Sequence, residues 1–181
     1  MHSNIRFPKS KKTVRDITIA AMLLTVLFVQ EELLTFLPNI QLTVLFIAVY
    51  AAVLPPTLLF PIVIGHVILD NLYMGSFSPL YTPAMLAAWL TWAAVAFSLR
   101  KSPGWQKVVA AGIFGFVYGL FYALAFAMQF GFQLFWPYLV SDLWFDVMMA
   151  VSGLVSIAIL FQPLRSLLDA LYHGAPDQYD A

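Results

Sequence analysis

Residues 137–161 read PYLVSDLWFDVMMAVSGLVSIAILF, a segment that is apolar enough to cross a bilayer yet carries two carboxylates. Asp142 and Asp146 are four residues apart, so on a helix they lie on one face, and Met149 and Gly153 continue that face. A carboxylate that faces lipid costs about 2.5–3.5 kcal/mol on insertion scales. The segment therefore predicts a membrane helix whose acidic face looks into protein or a watery cavity, and we interpret this face as one wall of a ligand pocket.

The whole chain has the composition of an integral membrane protein. Its 181 residues are 62% hydrophobic and 10% charged, and its mean hydropathy is +0.86. About 20 apolar residues cross a hydrocarbon core. Six segments approach that length or apolarity, and the second, which ends at two prolines, is the shortest: 14–36, 40–54, 56–74, 82–100, 107–130 and 138–162. The predicted fold is therefore all-α, a bundle of six transmembrane helices.

The basic residues lie in three groups along the chain. Residues 6–15 hold five of them, residues 100–107 hold three, and Arg165 follows the sixth segment. With six crossings all nine fall on one side of the membrane, and Lys and Arg stay preferentially in cytoplasmic loops. Both termini are therefore predicted to be cytoplasmic. The expected organisation is a basic arm over residues 1–13, a membrane domain over 14–165 and a cytoplasmic tail over 166–181.

Small residues at helical spacing predict close helix packing in two segments. Thr18, Ala21 and Thr25 give the first segment a small-residue face, which either docks a partner protein or packs inside its own bundle. The fifth segment carries glycines at positions 112, 115 and 119. This glycine ridge is explained by packing against a neighbouring helix.

Polar side chains gather near the predicted outer ends of the spans. Glu31 and Glu32 are adjacent and point about 100° apart on a helix, so at most one is expected to face a pocket squarely. His66 and Asp70 share a face and either line the cavity or form a structural hydrogen bond. The full set of candidate substrate-binding residues is Asp142, Asp146, Trp89, Asn39, Gln41, Asp70, Tyr81, Gln129, Trp136 and Met149.

Two tryptophans in the fourth segment differ in their expected roles. Trp89 lies some seven residues inside the outer end, which is deeper than the aromatic belt that usually marks a membrane interface. We expect Trp89 to provide a stacking surface for a ring in the ligand, with interfacial anchoring as the alternative. Trp92 is expected to pack within the bundle.

The motifs in the chain do not predict an enzyme. Walker-type glycine loops, HExxH, GxSxG and clusters of Cys and His at metal spacing do not occur in the sequence. No cofactor, metal or nucleic-acid partner is therefore expected. The outward half of the predicted bundle holds several carboxylates but neither Lys nor Arg. Such a pocket suits a neutral or cationic ligand that offers hydrogen-bond donors, and the hypothesis is a small heterocycle with amino or hydroxyl groups.

Several stretches of the chain resemble those of one membrane-protein family. These are FLPNIQLTVLFIAVYA (36–51), DNLYMGSFSPLYTPAMLAAW (70–89), GIFGFVYGLFYALAF (112–126), SDLWFD (141–146) and FDVMMAVSG (145–153) followed by LFQPL (160–164). In order and spacing they are similar to the substrate-capture (S) components of energy-coupling factor transporters. The resemblance implies a six-helix domain in the bacterial cytoplasmic membrane that captures a vitamin or vitamin precursor, such as a pyrimidine, pyridine or benzimidazole-type compound.

The resemblance also implies partners. An S component delivers its ligand while bound to a transmembrane coupling protein, the T component, and two cytoplasmic ATPases that supply the energy. The family docks its coupling protein through an Ala-x-x-x-Ala face on the first helix, and the nearest match here runs from Ala21 to Thr25. Two other readings remain open: a self-sufficient proton-coupled secondary transporter that uses Asp70 or Asp146, and a membrane enzyme built on His66 and the acids.

Overall fold

A computed structural model describes residues 9–37 and 40–173. Within these residues no strand occurs, and the chain folds into α-helices joined by short connections. Two 3-10 turns precede α5 and α6, at Leu99–Lys101 and Phe132–Leu134. In chain order the helices are α1 (Lys9–Leu33), α2 (Thr43–Val53), α3 (Pro56–Tyr73), α4 (Tyr81–Ser98), α5 (Gly104–Phe130) and α6 (Phe135–His173). The prediction of an all-α fold is confirmed.

In the part of the chain that the structure describes, four helical segments are long and apolar enough to cross a membrane. They are Pro56–Tyr73, Tyr81–Lys101, Gly104–Phe130 and Phe132–His173. The remaining two helices differ from the expected spans. Helix α2 has 11 residues and is about 16 Å long, roughly half the thickness of a hydrocarbon core. Helix α1 has 25 residues, but it contains Asp16 and ends in a turn that carries Glu31 and Glu32.

Helix α2 lies at the centre of the bundle. Eight of its 11 residues are buried, and it packs against α3, α4 and α6. The indole of Trp92 on α4 is 1% exposed and donates a hydrogen bond to the Val44 carbonyl at 2.9 Å. The packing role expected for Trp92 is therefore confirmed. The helix ends where Leu54 turns to extended backbone before Pro55, because a residue that precedes proline avoids the helical region.

Side chains from α1 and α6 satisfy the backbone of the connection between α1 and α2. The Leu42 amide donates to Gln30 Oε1 at 2.9 Å, and the Ser152 hydroxyl donates to the Gln41 carbonyl at 3.0 Å. Backbone groups that are shielded from water need partners of this kind. This connection, residues 34–37 and 40–42 of those described, is therefore held as part of the bundle.

The most extensive helix pair is that of α5 and α6, and glycines make it close. A methyl group placed on Gly115 would lie 2.5 Å from the backbone nitrogen of Ala150, so a larger residue does not fit without movement of α6. Gly112 faces Leu154, and Gly119 faces the carboxylate of Asp146. The predicted packing role of the glycine ridge is confirmed.

Helix α6 extends further than the sequence pattern indicated. Its 39 residues continue to His173, past the boundary expected at residue 165. Leu168 is 7% exposed and belongs to the hydrophobic core, and the Tyr172 carbonyl accepts a hydrogen bond from Arg15 Nη2 at 3.1 Å. After Pro163 the helix thus still contributes to the core, and a hydrogen bond from Arg15 joins its last turn to α1. The remainder of the expected arm and tail, residues 1–8 and 174–181, lies outside the described residues.

Candidate functional site

A cavity of about 260 Å³ lies at the end of the bundle where α1 and α3 terminate. Three carboxylates line it, together with one amide and one phenol ring, and Lys and Arg are absent from its described lining. We call it the acidic cavity. Its lining residues are Glu31, Glu32, Leu34, Thr35, Leu37, Ile40, Gln41, Asp70, Met74 and Tyr118.

Both glutamates at the end of α1 line the acidic cavity, and the expectation that at most one of them faces a pocket squarely stays a prediction. The helix ends at Leu33, and the chain turns immediately through hydrogen bonds from Leu34 N to Glu31 O and from Leu37 N to Leu34 O, at 3.0 and 2.8 Å. The cavity therefore wraps around the end of α1 instead of facing one side of it. Two side chains that point about 100° apart can both reach such a space.

His66 supports the acidic cavity from within the core. Its side chain is fully buried, and its Nε2 lies 3.1 Å from Glu31 Oε2, at ion-pair distance but without the alignment of a hydrogen bond. The partner of His66 is thus on α1, whereas Asp70 lines the cavity. Of the two alternatives considered for this pair, cavity lining applies to Asp70 and not to His66. The expected structural hydrogen bond is not formed, because neither ring nitrogen of His66 has a hydrogen-bond partner among the described residues.

A polar network fixes the positions of Glu31 and Gln41. The Gln30 amide donates to Thr43 Oγ1 at 2.7 Å, and the Thr43 hydroxyl lies 3.2 Å from Glu31 Oε2 and 3.3 Å from Gln41 Oε1. A hydroxyl has a single proton, so Thr43 donates to one of these oxygens at a time. Gln41, a residue expected at the site, is 9% exposed and keeps its place in the cavity wall through this network.

Trp89 is not a surface on which a ligand could stack, which corrects the expectation from sequence. Its side chain is 0% exposed. The centroid of its ring system lies 6.1 Å from that of His66, 5.6 Å from Phe114 and 5.2 Å from Tyr118. The aromatic contacts expected from a ligand are thus supplied by the protein. Trp89 packs against Tyr118, and it is Tyr118 that lines the cavity.

Tyr118 is a cavity residue that the sequence reasoning missed. Its hydroxyl donates to that of Tyr122 at 3.0 Å, and the Tyr122 ring lies 6.0 Å from the ring of Tyr81. Tyr81 was expected at the site, and the structure connects it to the cavity only through these two tyrosines. The available signal was the spacing of Tyr118 and Tyr122, which places two hydroxyls on one face of an apolar helix.

The acidic face of α6 is a packing surface for most of its length. Asp146 is 2% exposed and Met149 is 1% exposed, while Gly153 packs against Val44 and Ala111. Asp142 is partly exposed, and neither aspartate is among the residues lining the acidic cavity. The interpretation of this face as a pocket wall is corrected on a physical ground: the missing side chain of Gly119 leaves room for the Asp146 carboxylate between the helices.

The other candidate residues do not line the acidic cavity or lie outside the described residues. Gln129 is exposed, and Trp136 is 68% exposed with an edge contact to Phe135. Neither is among the residues lining the acidic cavity, so the pocket rim expected from these two side chains is not present there. Asn39 lies outside the described residues.

The small-residue face of α1 is exposed along the side of the bundle. Thr18, Ala21 and Thr25 are all exposed, and the two hydroxyls donate back to helix carbonyls, to Val14 at 3.0 Å and to Ala21 at 2.8 Å. The alternative that this face packs inside its own bundle is therefore excluded.

The acidic cavity combines hydrogen-bond acceptors with negative charge. Ionised carboxylates accept hydrogen bonds only, and these are stronger when the donor is cationic. Within residues 9–37 and 40–173, no group of three or more His, Asp and Glu side chains is arranged to hold a metal ion. The arrangement suits an organic molecule that donates hydrogen bonds.

Comparisons with known proteins add no relative. No protein-family model matches the chain, and no match is found among curated proteins or solved structures. The fold and the site therefore define the chain as an α-helical protein with helices long and apolar enough to cross a membrane and a polar cavity at one end of the bundle.

Proposed function

We propose that this protein is a membrane-embedded substrate-capture subunit, the S component of an energy-coupling factor importer. In this proposal the acidic cavity opens to the outside of the bacterial cytoplasmic membrane and receives a vitamin or vitamin precursor. The chain itself performs no catalysis, and ATP hydrolysis is carried out by two cytoplasmic partner ATPases. The observation that carries the proposal is the acidic cavity, with Glu31, Glu32 and Asp70 in its wall.

The charge of the cavity supports a neutral or cationic ligand. Three carboxylates without a lysine or arginine in the described lining repel an anion and accept hydrogen bonds from amino or hydroxyl groups. The volume of about 260 Å³ is slightly below the usual range for small-molecule sites, roughly 300–1,000 Å³, which favours a small ligand. A heterocycle of one or two rings with amino substituents fits both properties.

The distribution of charge supports the proposed orientation. Within the described residues every Lys and Arg from Arg15 onward stands at or near the end of a helix away from the acidic cavity, namely at positions 15, 100, 101, 107 and 165. Positive residues are enriched on the cytoplasmic side of membrane proteins. We therefore place both termini in the cytoplasm. In this proposal α1 and α2 each make one of six membrane crossings. Helix α2 completes its crossing with the α1–α2 connection, since α2 alone is too short.

The exposed face of α1 supports docking of a coupling protein. Thr18, Ala21 and Thr25 leave a shallow surface on which another helix can approach closely. In the proposal this face binds the transmembrane T component. The lipid bilayer covers the same face when the subunit is alone.

Identification of the bound molecule tests the proposed function most directly. The full chain is purified in detergent, small molecules are released by denaturation, and they are analysed by mass spectrometry. We expect a nitrogen heterocycle with neutral or positive charge. Release of a folate-like polyanion as the bound ligand would contradict the reading of the cavity.

Substitution of the cavity acids tests the site itself. Glu31→Gln and Asp70→Asn each remove one charged acceptor, and a hydrogen bond to a charged group contributes about 1.5–3 kcal/mol, so we expect a roughly tenfold to hundredfold weaker Kd. Asp142→Asn is the matched control, because Asp142 lies outside the acidic cavity. Binding is measured by calorimetry with the identified ligand. A loss of affinity in the Asp142 variant, with none in the other two, would move the site to α6.

A proton-coupled secondary transporter is the second candidate function. The observation that favours it is the presence of two carboxylates, Asp70 and Asp146, buried to 6% and 2% exposure within membrane-length helices. Vesicles that contain this chain alone distinguish the two functions. Accumulation of ligand driven by a proton gradient supports the carrier, and accumulation that requires the coupling protein and ATPases supports the capture subunit.

A further inference from the structure

A second cavity, of about 540 Å³, lies between residues 100–108, which include the start of α5, and residues 157–165 of α6. It is at the opposite end of the bundle from the acidic cavity. Four cationic side chains line it, and no carboxylate is present in its described lining. We call it the basic cavity. The cations are Arg100, Lys101, Lys107 and Arg165.

The four cations share one cavity, and none of them is paired with a carboxylate of the described residues. Lys107 is 7% exposed, and its Nζ donates to the backbone carbonyl of Ser102 and lies 5.5 Å from the ring centroid of Phe161. The Arg100 guanidinium lies 3.9 Å from the ring centroid of Phe97. The ion pairs among residues 9–37 and 40–173 involve none of the four. Their positive charge is therefore uncompensated by the described part of the protein.

The first turn of α5 adds to the positive character of the basic cavity. This 27-residue helix begins at Gly104, and the side chain of the preceding residue, Pro103, provides no cap for its amides. The start of a helix carries a partial positive charge and unpaired N–H groups, both of which favour an anion. Gly104 itself lines the cavity. Backbone dipoles and side-chain charges thus act in the same direction.

The remaining walls of the basic cavity favour an anion that carries an apolar tail. Val108, Ile157, Ala158 and Phe161 form an apolar side, and it belongs to two helices that are apolar enough to cross a membrane. Trp105, also in the lining, is 65% exposed, as is typical of tryptophans at a membrane interface. Basic pockets between membrane helices on the cytoplasmic side bind the headgroups of anionic lipids.

We propose that the basic cavity binds the phosphate headgroup of an anionic phospholipid, with the acyl chains against the apolar side. Arg100 and Arg165 bind the phosphate oxygens through their planar guanidinium groups. Lys107, which is more deeply buried, supplies a further hydrogen-bond donor. This inference does not depend on the ligand of the acidic cavity.

Native mass spectrometry of the full chain tests the proposal. The protein is purified in a neutral detergent, incubated with an equimolar mixture of phosphatidylglycerol and phosphatidylcholine, and the retained lipids are counted. We expect one phosphatidylglycerol to be retained in preference to phosphatidylcholine. Each basic residue near a lipid surface is worth roughly a fivefold change in binding, so the double variant Arg100→Gln, Arg165→Gln is expected to lose the preference by roughly 30-fold.

Two further variants separate the site from general charge and from misfolding. Arg15→Gln removes an arginine at the same end of the bundle but outside the basic cavity, and it is expected to retain the lipid. The single variants Arg165→Gln and Arg165→Lys share one side-chain position, so weaker retention in the first with recovery in the second supports a charge-dependent site. Equal retention of both lipids by the wild type would overturn the proposal. So would stabilisation against heating by inorganic phosphate alone that equals that by phosphatidylglycerol.

Discussion

Replacement of Gln30 by methionine provides a direct test of how the α1–α2 connection is held. The Gln30 side chain accepts a hydrogen bond from Leu42 N at 2.9 Å and donates to Thr43 Oγ1 at 2.7 Å and to the Leu27 carbonyl at 2.9 Å. Methionine has a similar shape and cannot replace these bonds. The substitution therefore isolates the polar contribution with little change in packing.

The expected cost comes mainly from the amide of Leu42. The bond from the Leu42 amide to Gln30 is partly buried, and a buried donor that loses its partner costs about 1–3 kcal/mol. Loss of the bond to Thr43 adds to this cost, since Thr43 helps to position Glu31. We expect Gln30→Met to lower the free energy of unfolding by roughly 2–3 kcal/mol, a factor of about 30–150 in the ratio of folded to unfolded protein.

Reversible unfolding in mixed micelles, followed by tryptophan fluorescence, measures this difference. The matched control is Gln129→Met, because Gln129 is exposed, and a surface substitution of this kind changes stability by no more than about 0.5 kcal/mol. A Gln30→Met protein that unfolds together with the wild type and the control would refute the reasoning. The connection would then be satisfied by water, and its fixed position in the bundle would need another explanation.

Two further predictions concern the packing of the bundle. Gly115→Ala is expected to destabilise the fold by about 1–3 kcal/mol in the same unfolding measurement, because the new methyl group meets the Ala150 backbone. The control is Gly104→Ala, whose methyl group meets no atom within 4 Å. This variant is expected to be neutral or slightly stabilising. A stable Gly115→Ala protein would show that α5 and α6 can move apart at little cost. Trp92→Phe loses the indole hydrogen bond to α2 and is expected to lower the free energy of unfolding by about 1–3 kcal/mol. The control is Trp136→Phe, which changes an exposed residue and is expected to leave stability within about 0.5 kcal/mol. Equal effects of the two substitutions would contradict the central position of α2.

The helical class and the glycine-mediated contact of α5 with α6 were predictable because both depend on local spacing. Glycines at positions 112, 115 and 119 fall on one helix face whatever surrounds them, and the structure places α6 against that face. The length of α2 was predictable in part, since the proline pair after Leu54 ends the helix. Its central position was not predictable, because it depends largely on side chains of α4 and α6 that are distant in the sequence.

The candidate site was harder to predict because the same residue types serve packing and binding. An aromatic ring deep in a span, such as Trp89, can contact a ligand or other rings of the protein, and the sequence does not distinguish the two. The sequence pattern predicted that Asp146 lines a pocket, yet its carboxylate occupies space left by Gly119 on another helix. The acids that do line a cavity, Glu31 and Asp70, come from helix ends. At a helix end, the surroundings of a side chain depend on the path that the chain takes over the next few residues, and this path is not evident from the sequence.

The two cavities have opposite preferences, and this opposition restricts what each can bind. The acidic cavity holds the carboxylates of Glu31, Glu32 and Asp70, so a phosphorylated molecule placed there would meet like charge at short range. The basic cavity presents four cations to the same molecule. A compound that carries both an amino heterocycle and a phosphate would therefore be drawn to different ends of the bundle by its two groups. For this reason we expect a molecule that binds in the acidic cavity to lack phosphate, because only such a molecule can enter the cavity without an opposing interaction.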